Sequence, residues 1–218
     1  MTTFKSNGSL CIFAKTPELG KVKTRLENAL GQQGCLELHK WLVKDRLAKF
    51  CWTQADREYE VLLYVTDNPK DKFWIELNSS SSAQNSHGQV PILLQSGVTL
   101  GERLWHAVKH TLDRQEWVIP IGADCPDLDA HYVDIAISEL ENGRDAVIGP
   151  AEDGGYVLLG LRQSLKQVFQ GISWGSDRVF DETVAVFKHL GLDYRVLSRL
   201  KDLDVMDDYL YYKSKMSI

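Results

Sequence analysis

The chain has 218 residues, of which 44% are hydrophobic and 25% are charged. This composition is typical of one globular domain that is long enough to bury a core. Its formal net charge of −5 argues against a protein that coats nucleic acid. No run reaches the roughly 18 apolar residues that a membrane span needs, and the first residues lack the apolar core of a signal peptide. We therefore expect a cytoplasmic protein.

Apolar and β-branched runs alternate with segments of helical spacing along the chain. The predicted strands cover residues 10–14, 60–66, 90–95, 116–122, 145–149, 157–161 and 194–197. The first predicted helix begins within 23–30. Further predicted helices cover 33–52, 70–77, 102–112, 129–140, 164–169 and 177–190, and a last helix ends near 212. Asp129 is a predicted N-cap. The alternation predicts one α/β domain, residues 1–218, with a mostly parallel sheet.

Two further features concern the periphery and the thiols. Residues 78–89 are rich in Ser, Asn and Gln and predict a surface loop, in which His87 is interpreted as solvated. The four cysteines lack a metal-type spacing such as Cys-x-x-Cys. Buried, reduced thiols are therefore expected rather than disulfides.

A basic loop follows the first strand, with Lys15, Gly20, Lys21, Lys23 and Arg25 within eleven residues. Its backbone N–H groups and the following helix N-terminus could bind an anion, and Lys and Arg could neutralise phosphate. A solvated basic loop is the alternative. The loop contains neither the Walker motif nor the dinucleotide-binding glycine motif.

Acidic loops follow other predicted strands, and ligands of open α/β sheets bind at the carboxyl ends of strands. Asp124 could coordinate a divalent cation that also binds phosphate, or it could be a turn aspartate. Asp202 and Asp204 would point to one side of an extended segment, or they could belong to an acidic helix N-terminus. Basic and acidic loops together predict Mg²⁺ or Mn²⁺ as the cofactor. Arg103 could reach the same ligand, or form a surface ion pair.

A third acidic loop joins two carboxylates to a glycine pair. Gly154 and Gly155 could let the backbone approach a ligand. Adjacent side chains of an extended chain point to opposite sides, so either Glu152 or Asp153 should face the site. We choose Asp153, although it could instead cap its own turn. Tyr156 would form an aromatic wall or belong to the core.

The motifs resemble the DUF2064 family, whose members are regarded as glycosyltransferases, some of them linked to arsenosugar biosynthesis. The segments that carry the resemblance are 13–26, 100–103, 122–128, 149–156 and 202–204. It extends over nearly the whole chain and implies the GT-A fold, a three-layer sandwich of the nucleotide-diphospho-sugar transferase type. The chain also resembles, more distantly, the phospholactate guanylyltransferases. The usual GT-A Asp-x-Asp is reduced here to Asp124, with Gly122 in the first position, so metal dependence rests on Asp202 or Asp204.

The resemblance implies a glycosyltransferase that moves a sugar from a nucleotide sugar to a small-molecule acceptor, without nucleic acid as a partner. The alternatives are a metal-dependent nucleotidyltransferase, which would bind a nucleoside triphosphate and release pyrophosphate, and a non-catalytic nucleotide-binding domain. The assigned roles are nucleotide binding by Lys15, Gly20, Lys23, Arg25 and Arg103, metal binding by Asp124, Asp202 and Asp204, acceptor binding by Glu152, Gly154, Gly155 and Tyr156, and base catalysis by Asp153.

Overall fold

The structure, a computed structural model, describes residues 7–52, 59–81 and 89–213, so the prediction for His87 lies outside these ranges. The strands are β1 Gly8–Ala14, β2 Glu60–Val65, β3 Ile92–Leu94, β4 Trp117–Gly122, β5 Ala146–Pro150, β6 Tyr156–Leu161 and β7 Tyr194–Val196. The α-helices are α1 Glu27–Leu47, α2 Lys72–Ser81, α3 Leu100–Leu112, α4 Ala130–Glu141, α5 Val179–Leu190 and α6 Met206–Lys213. Short 3₁₀ turns lie at Thr24–Leu26 and Lys166–Phe169, and a π turn, Ala48–Trp52, extends α1.

The described strands form one sheet in the order β3-β2-β1-β4-β6-β5-β7. Strand β6 runs antiparallel to both of its neighbours, whereas the other pairs are parallel. The predicted α/β fold with a mostly parallel sheet is therefore confirmed.

Helices cover both faces of the sheet, because the central strands are apolar on both sides. Leu10 and Ile12 of β1 pack in one core cluster with side chains of α1, α2 and α4. Cys11, between them in the chain, packs in a second cluster with α3 and α5. The result is a three-layer sandwich. Cys11, Cys35 and Cys125 are buried thiols outside any disulfide, as expected, and Cys51 is buried as well.

Three predicted helices differ from the observed ones. The helix predicted at 70–77 is observed as α2, Lys72–Ser81, and the amide of Asn78 forms two hydrogen bonds with the Val90 backbone, of 2.9 and 3.0 Å. The segment predicted at 164–169 forms only one 3₁₀ turn. The first helix begins as a 3₁₀ turn and is kinked at Gly31, whose φ is 67° and ψ 167°.

The remaining element predictions agree within a few residues, and the side chain of Asp129 caps α4 by accepting from the backbone of Tyr132 at 2.9 Å. Within the described ranges, none of the helices combines the length and the apolar composition needed to cross a membrane.

The topology brings the sequence motifs to one edge of the sheet. The carboxyl ends of β1, β4 and β5 lie there, together with the amino end of the antiparallel β6. Between β1 and its neighbour β4 the strand order reverses. Such a switch point is where open α/β sheets bind ligands.

Candidate functional site

A cleft with two adjoining lobes opens at this edge. The basic lobe has a volume of about 460 Å³, and its lining includes Lys15, Lys23, Arg25 and Arg103. The acidic lobe has a volume of about 390 Å³, and its lining includes Asp153, Asp177, Asp202, Asp204 and the rings of Phe13, Tyr156 and Trp174. Arg25 and Asp204 line both lobes, so the two form one continuous cleft.

The front loop reverses direction twice before α1. Gly20 has a φ of 74°, and the backbone N–H of Lys21 donates to the carbonyl of Glu18 at 3.1 Å. Lys23 has a φ of 50° and a ψ of 36°, a left-handed conformation that is uncommon for residues other than glycine. Such strain persists only where surrounding contacts enforce it, and it often marks a functional position.

The Lys23 side chain supplies those contacts, since only 3% of it is exposed. Its ammonium lies 2.9 Å from Asp124 Oδ1 and 3.9 Å from Asp204 Oδ1, and it donates to the Leu203 carbonyl at 2.5 Å. A buried ammonium needs such partners because its desolvation is costly. Lys23 thus joins the loops after β1, β4 and β7 at one point.

The carboxylates around Lys23 differ in pKa. Burial would raise the pKa of Asp124, but Lys23 and His39 outweigh this effect and hold that pKa below its ordinary value. Burial, with the negative charges of Asp124 and Asp153, raises the pKa of Asp202 to about 7. Asp202 is therefore largely removed from water and close to other carboxylates, and Lys23 only partly offsets these two effects on its pKa.

Two buried side chains of α1 hold these loops from behind. His39 Nε2 lies 2.8 Å from the Lys15 carbonyl, and burial lowers the pKa of His39, so a neutral ring donates this hydrogen bond. Arg46 is fully buried and donates to the carbonyls of Leu128, at 2.6 Å, and Cys125. Sequence reasoning missed both, because helical spacing cannot reveal a distant carbonyl partner.

The predicted nucleotide-binding residues differ in their contacts and in whether they line the cleft. Arg25 Nη1 lies 2.6 Å from Asp204 Oδ2, and Arg103 Nε donates to the Gly97 carbonyl at 3.0 Å. Lys15 is exposed and lines the basic lobe. Gly20 lines neither lobe, so it shapes the turn of the front loop and does not contact the cleft.

The loop between β5 and β6 separates its two carboxylates. Asp153 lines the acidic lobe, and its Oδ1 also accepts from the Gly155 backbone at 2.9 Å, so it faces the cleft and caps its turn. Glu152 lines neither lobe and pairs with Lys201 at 2.9 Å. Gly155 lines the acidic lobe, whereas Gly154 does not.

Gly154 packs instead against the segment that precedes α5. Its φ is 88°, and an added Cβ would lie 2.1 Å from the Asp177 carbonyl oxygen. This contact places Asp177 at the cleft, and Trp174 packs against Gly101. Sequence reasoning missed both of these lining residues. Tyr156 stands edge-on to Trp174, with ring centroids 6.2 Å apart. It lines the lobe, as an aromatic wall would.

The sequence predicts Asp124, Asp202 and Asp204 as the ligands of a divalent cation. Among residues 7–52, 59–81 and 89–213, no three His, Cys, Asp or Glu side chains form a ready-made metal site. Mg²⁺ commonly needs only one or two protein carboxylates, because waters and substrate phosphates complete its shell. Burial, together with the charges of Asp124 and Asp153, raises the pKa of Asp202 to about 7, and a cation shared by these carboxylates would compensate that charge.

Comparison with known proteins adds the family. The profile described as an uncharacterized protein conserved in bacteria (DUF2064) matches residues 46–176. The chain belongs to the DUF2064 family. No curated protein sequence matches it. A solved structure from Desulfovibrio desulfuricans G20, provisionally assigned as a nucleotide-diphospho-sugar transferase, is 31% identical, with a TM-score of 0.81 over 97% of this chain and 89% of that one.

More distant structures share the fold of this DUF2064 protein. The 4-diphosphocytidyl-2C-methyl-D-erythritol synthase of Anaerococcus prevotii DSM 20548 has a TM-score of 0.62 at 13% identity, over 97% of this chain and 96% of that one. The inositol-1-phosphate CTP transferase of T. maritima has a TM-score of 0.54 at 10% identity, over 94% and 91%. The fold is therefore the one found in nucleotide-diphospho-sugar transferases and cytidylyltransferases.

Proposed function

We propose that this DUF2064 protein is a transferase that binds a nucleotide sugar and transfers the sugar to a small-molecule acceptor. The observation that carries the proposal is the two-lobed cleft at the β1–β4 switch point. Lys and Arg recognise phosphate, whereas carboxylates and aromatic rings suit the hydroxyls and apolar faces of a sugar and an acceptor. The provisional assignment of the D. desulfuricans relative supports the same class.

In this proposal the basic lobe binds the diphosphate. Lys15, Arg25 and Arg103 contact its oxygens, and Lys23 adds buried positive charge behind them. During transfer, the acceptor oxygen bonds to the anomeric carbon while the bond from that carbon to the diphosphate breaks. Negative charge develops on the departing diphosphate, where fixed cations stabilise the transition state.

Asp153 is the proposed base that takes the acceptor proton. It lines the acidic lobe, and only its Oδ1 is engaged by the Gly155 backbone. Asp153→Asn keeps the shape and the turn bond but cannot accept a proton, so we expect unchanged nucleotide affinity and lost turnover. Near-normal turnover would restrict Asp153 to the turn.

Asp124 and Asp204, with Asp202 as an alternative ligand, are the proposed holders of Mg²⁺ or Mn²⁺. When bound, the ion would neutralise diphosphate charge as a Lewis acid. These carboxylates would orient it beside the basic lobe, and Lys23 fixes the position of Asp124.

Nucleotidyl transfer is the second candidate, because the cytidylyltransferases share the fold and the front loop is rich in cations. Two of the four cations of the basic lobe, Lys23 and Arg25, are already paired with carboxylates. This pairing lowers the net positive charge that the basic lobe offers to a triphosphate. Release of nucleoside diphosphate from a panel of nucleotide sugars would support the first proposal, whereas release of pyrophosphate from nucleoside triphosphates would support the second.

Binding can be tested with a matched pair of lysines on one loop. Lys15 is exposed and lines the basic lobe, whereas Lys21 pairs with Glu18 at 2.7 Å and lines neither lobe. Calorimetry should show at least tenfold weaker nucleoside diphosphate binding for Lys15→Met, about 1.4 kcal/mol. It should show unchanged binding for Lys21→Met. Equal effects would refute phosphate recognition by the lobe.

A further inference from the structure

The two lobes of the cleft carry opposite charge. The basic lobe presents Lys15, Lys23, Arg25 and Arg103 against Asp124 and Asp204. Among the described residues, the acidic lobe presents Asp153, Asp177, Asp202 and Asp204 against one cation, Arg25, which is already paired with Asp204 at 2.6 Å. A ligand that spans the cleft therefore meets a cationic environment at one end and an anionic one at the other.

The carboxylates of the acidic lobe are available to a ligand. In the described part of the chain, the side chains of Asp177 and Asp202 have no hydrogen-bond or ion-pair partner. Both line the lobe.

The other walls of the acidic lobe are apolar or aromatic. Leu104, Val157, Tyr156 and Trp174 line it. The Tyr156 hydroxyl is buried, and among the described residues it has no hydrogen-bond partner. Aromatic faces pack against apolar ligand surfaces and attract cations, while carboxylates accept hydrogen bonds from hydroxyl and ammonium groups.

Building on the function proposed above, we infer that the acceptor is a hydroxyl-bearing molecule without negative charge, either neutral or cationic. Two carboxylates of the acidic lobe, Asp153 and Asp177, are not assigned to the ion, and the one cation among its described lining residues, Arg25, pairs with Asp204. The lobe therefore disfavours phosphorylated and carboxylated acceptors. Specificity of this kind comes from repulsion of the wrong ligand as much as from attraction of the right one.

A matched acceptor panel tests this inference. Glucose, glucosamine, glucose 6-phosphate and glucuronate share a ring and differ in charge. With a nucleotide sugar that the protein binds, release of nucleoside diphosphate should be at least tenfold faster with glucose or glucosamine than with either anionic sugar. Preference for glucose 6-phosphate or glucuronate would overturn the inference and leave glycosyl transfer intact.

A second measurement reads the charge of the lobe without any turnover. Trp174 lines the acidic lobe, so its fluorescence, obtained as the difference between the wild type and Trp174→Phe, reports the local potential. Relative to quenching by neutral acrylamide, the caesium cation should quench the Trp174 fluorescence more strongly than the iodide anion does. In Asp177→Lys, quenching of the Trp174 fluorescence by iodide should increase relative to quenching by caesium.

The two measurements separate the possible failures. Stronger iodide quenching in the wild type would overturn the inference, whatever the reaction. Caesium quenching without nucleoside diphosphate release from any panel member would support the charge of the lobe and contradict the proposed glycosyl transfer instead.

Discussion

Arg46 is a fully buried cation that ties α1 to the loop carrying Asp124. Arg46→Met would remove the charge and leave the carbonyl of Leu128 without its donor. We expect a loss of about 3 kcal/mol in unfolding free energy, since buried hydrogen bonds to a charged group are among the strong ones. Urea denaturation measures this loss.

Arg195 provides a control of the same residue type. It is 58% exposed, and its Nε lies 3.7 Å from Glu139. Exposed pairs of this kind contribute about 0–1 kcal/mol, so Arg195→Met should be nearly neutral. Similar, small losses in both variants would show that the Asp124 loop does not depend on Arg46.

His39 makes stability depend on pH. Its folded-state pKa lies below its ordinary value because the ring is buried. As pH falls below about 6.5, the unfolded chain takes up the proton first, so the folded state loses stability. Above that pH the ring is neutral in both states and contributes no pH dependence. Between pH 7 and 5, His39→Gln should therefore lose less stability than the wild type.

Urea midpoints measured at half-unit pH intervals would reveal this difference in slope. Because the two proteins differ only at residue 39, the comparison isolates His39. Parallel curves for the wild type and His39→Gln would contradict the assignment of a buried, neutral ring.

At the residue scale, the sequence predicts which side chains lie at the strand ends, but it does not predict which residues hold them in position. Lys23, Asp124 and Asp204 come from three distant loops, and the strand-end rule alone places them together. Asp177 could not be foreseen in the cleft, because its position depends on backbone packing against Gly154. Local sequence does not encode such a contact.

At the scale of elements, the loop between β5 and β6 docks on the segment before α5. The Phe180 N–H donates to the Gly154 carbonyl at 2.9 Å, and an added Cβ at Gly154 would collide with the Asp177 backbone. Gly154→Ala should therefore combine left-handed strain of about 1–2 kcal/mol with roughly 1–3 kcal/mol from overpacking. Thermal unfolding measures the sum.

Gly171→Ala isolates the strain. Gly171 also has a left-handed φ, of 70°, but nothing lies within 4 Å of its added Cβ. The melting temperature of Gly171→Ala should decrease by less than that of Gly154→Ala. Equal decreases would mean that the loop can move away from Asp177 without cost.

The same elements explain which boundaries the sequence could predict. Strands such as β1 and β4 are buried on both faces and stand out as apolar runs. Helix ends were less predictable. Helix α2 continues to Ser81, and its Asn78 bonds to Val90, a partner that periodicity cannot identify.

At the scale of the whole molecule, alternation of strands and helices was enough to predict the layers, because each element must bury an apolar face. The reversed orientation of β6 was not predicted, since nothing in its apolar run distinguishes parallel from antiparallel pairing. That reversal places Tyr156, and with it the acidic lobe, at the same edge as the basic loop.

Binding at this edge should stabilise the entire domain. A nucleoside diphosphate at roughly 100 times its Kd adds about 2.7 kcal/mol by mass action, which raises the melting temperature of a chain of this size by about 5–10 °C. If Asp124 and Asp204 share a divalent ion with the phosphates, Mn²⁺ should tighten nucleotide binding. A tenfold gain in affinity then adds about 1.4 kcal/mol at the same ligand concentration.

Because ion and nucleotide share ligands, their effects should be coupled, and coupling between two ligands is reciprocal. Mn²⁺ without nucleotide should shift the melting temperature little, because Lys23 already pairs with both carboxylates. EDTA should remove the additional shift seen with nucleotide, and Asp204→Asn should mimic EDTA. A diphosphate-induced shift that EDTA leaves unchanged would mean that Lys23, Lys15 and the arginines alone supply the positive charge.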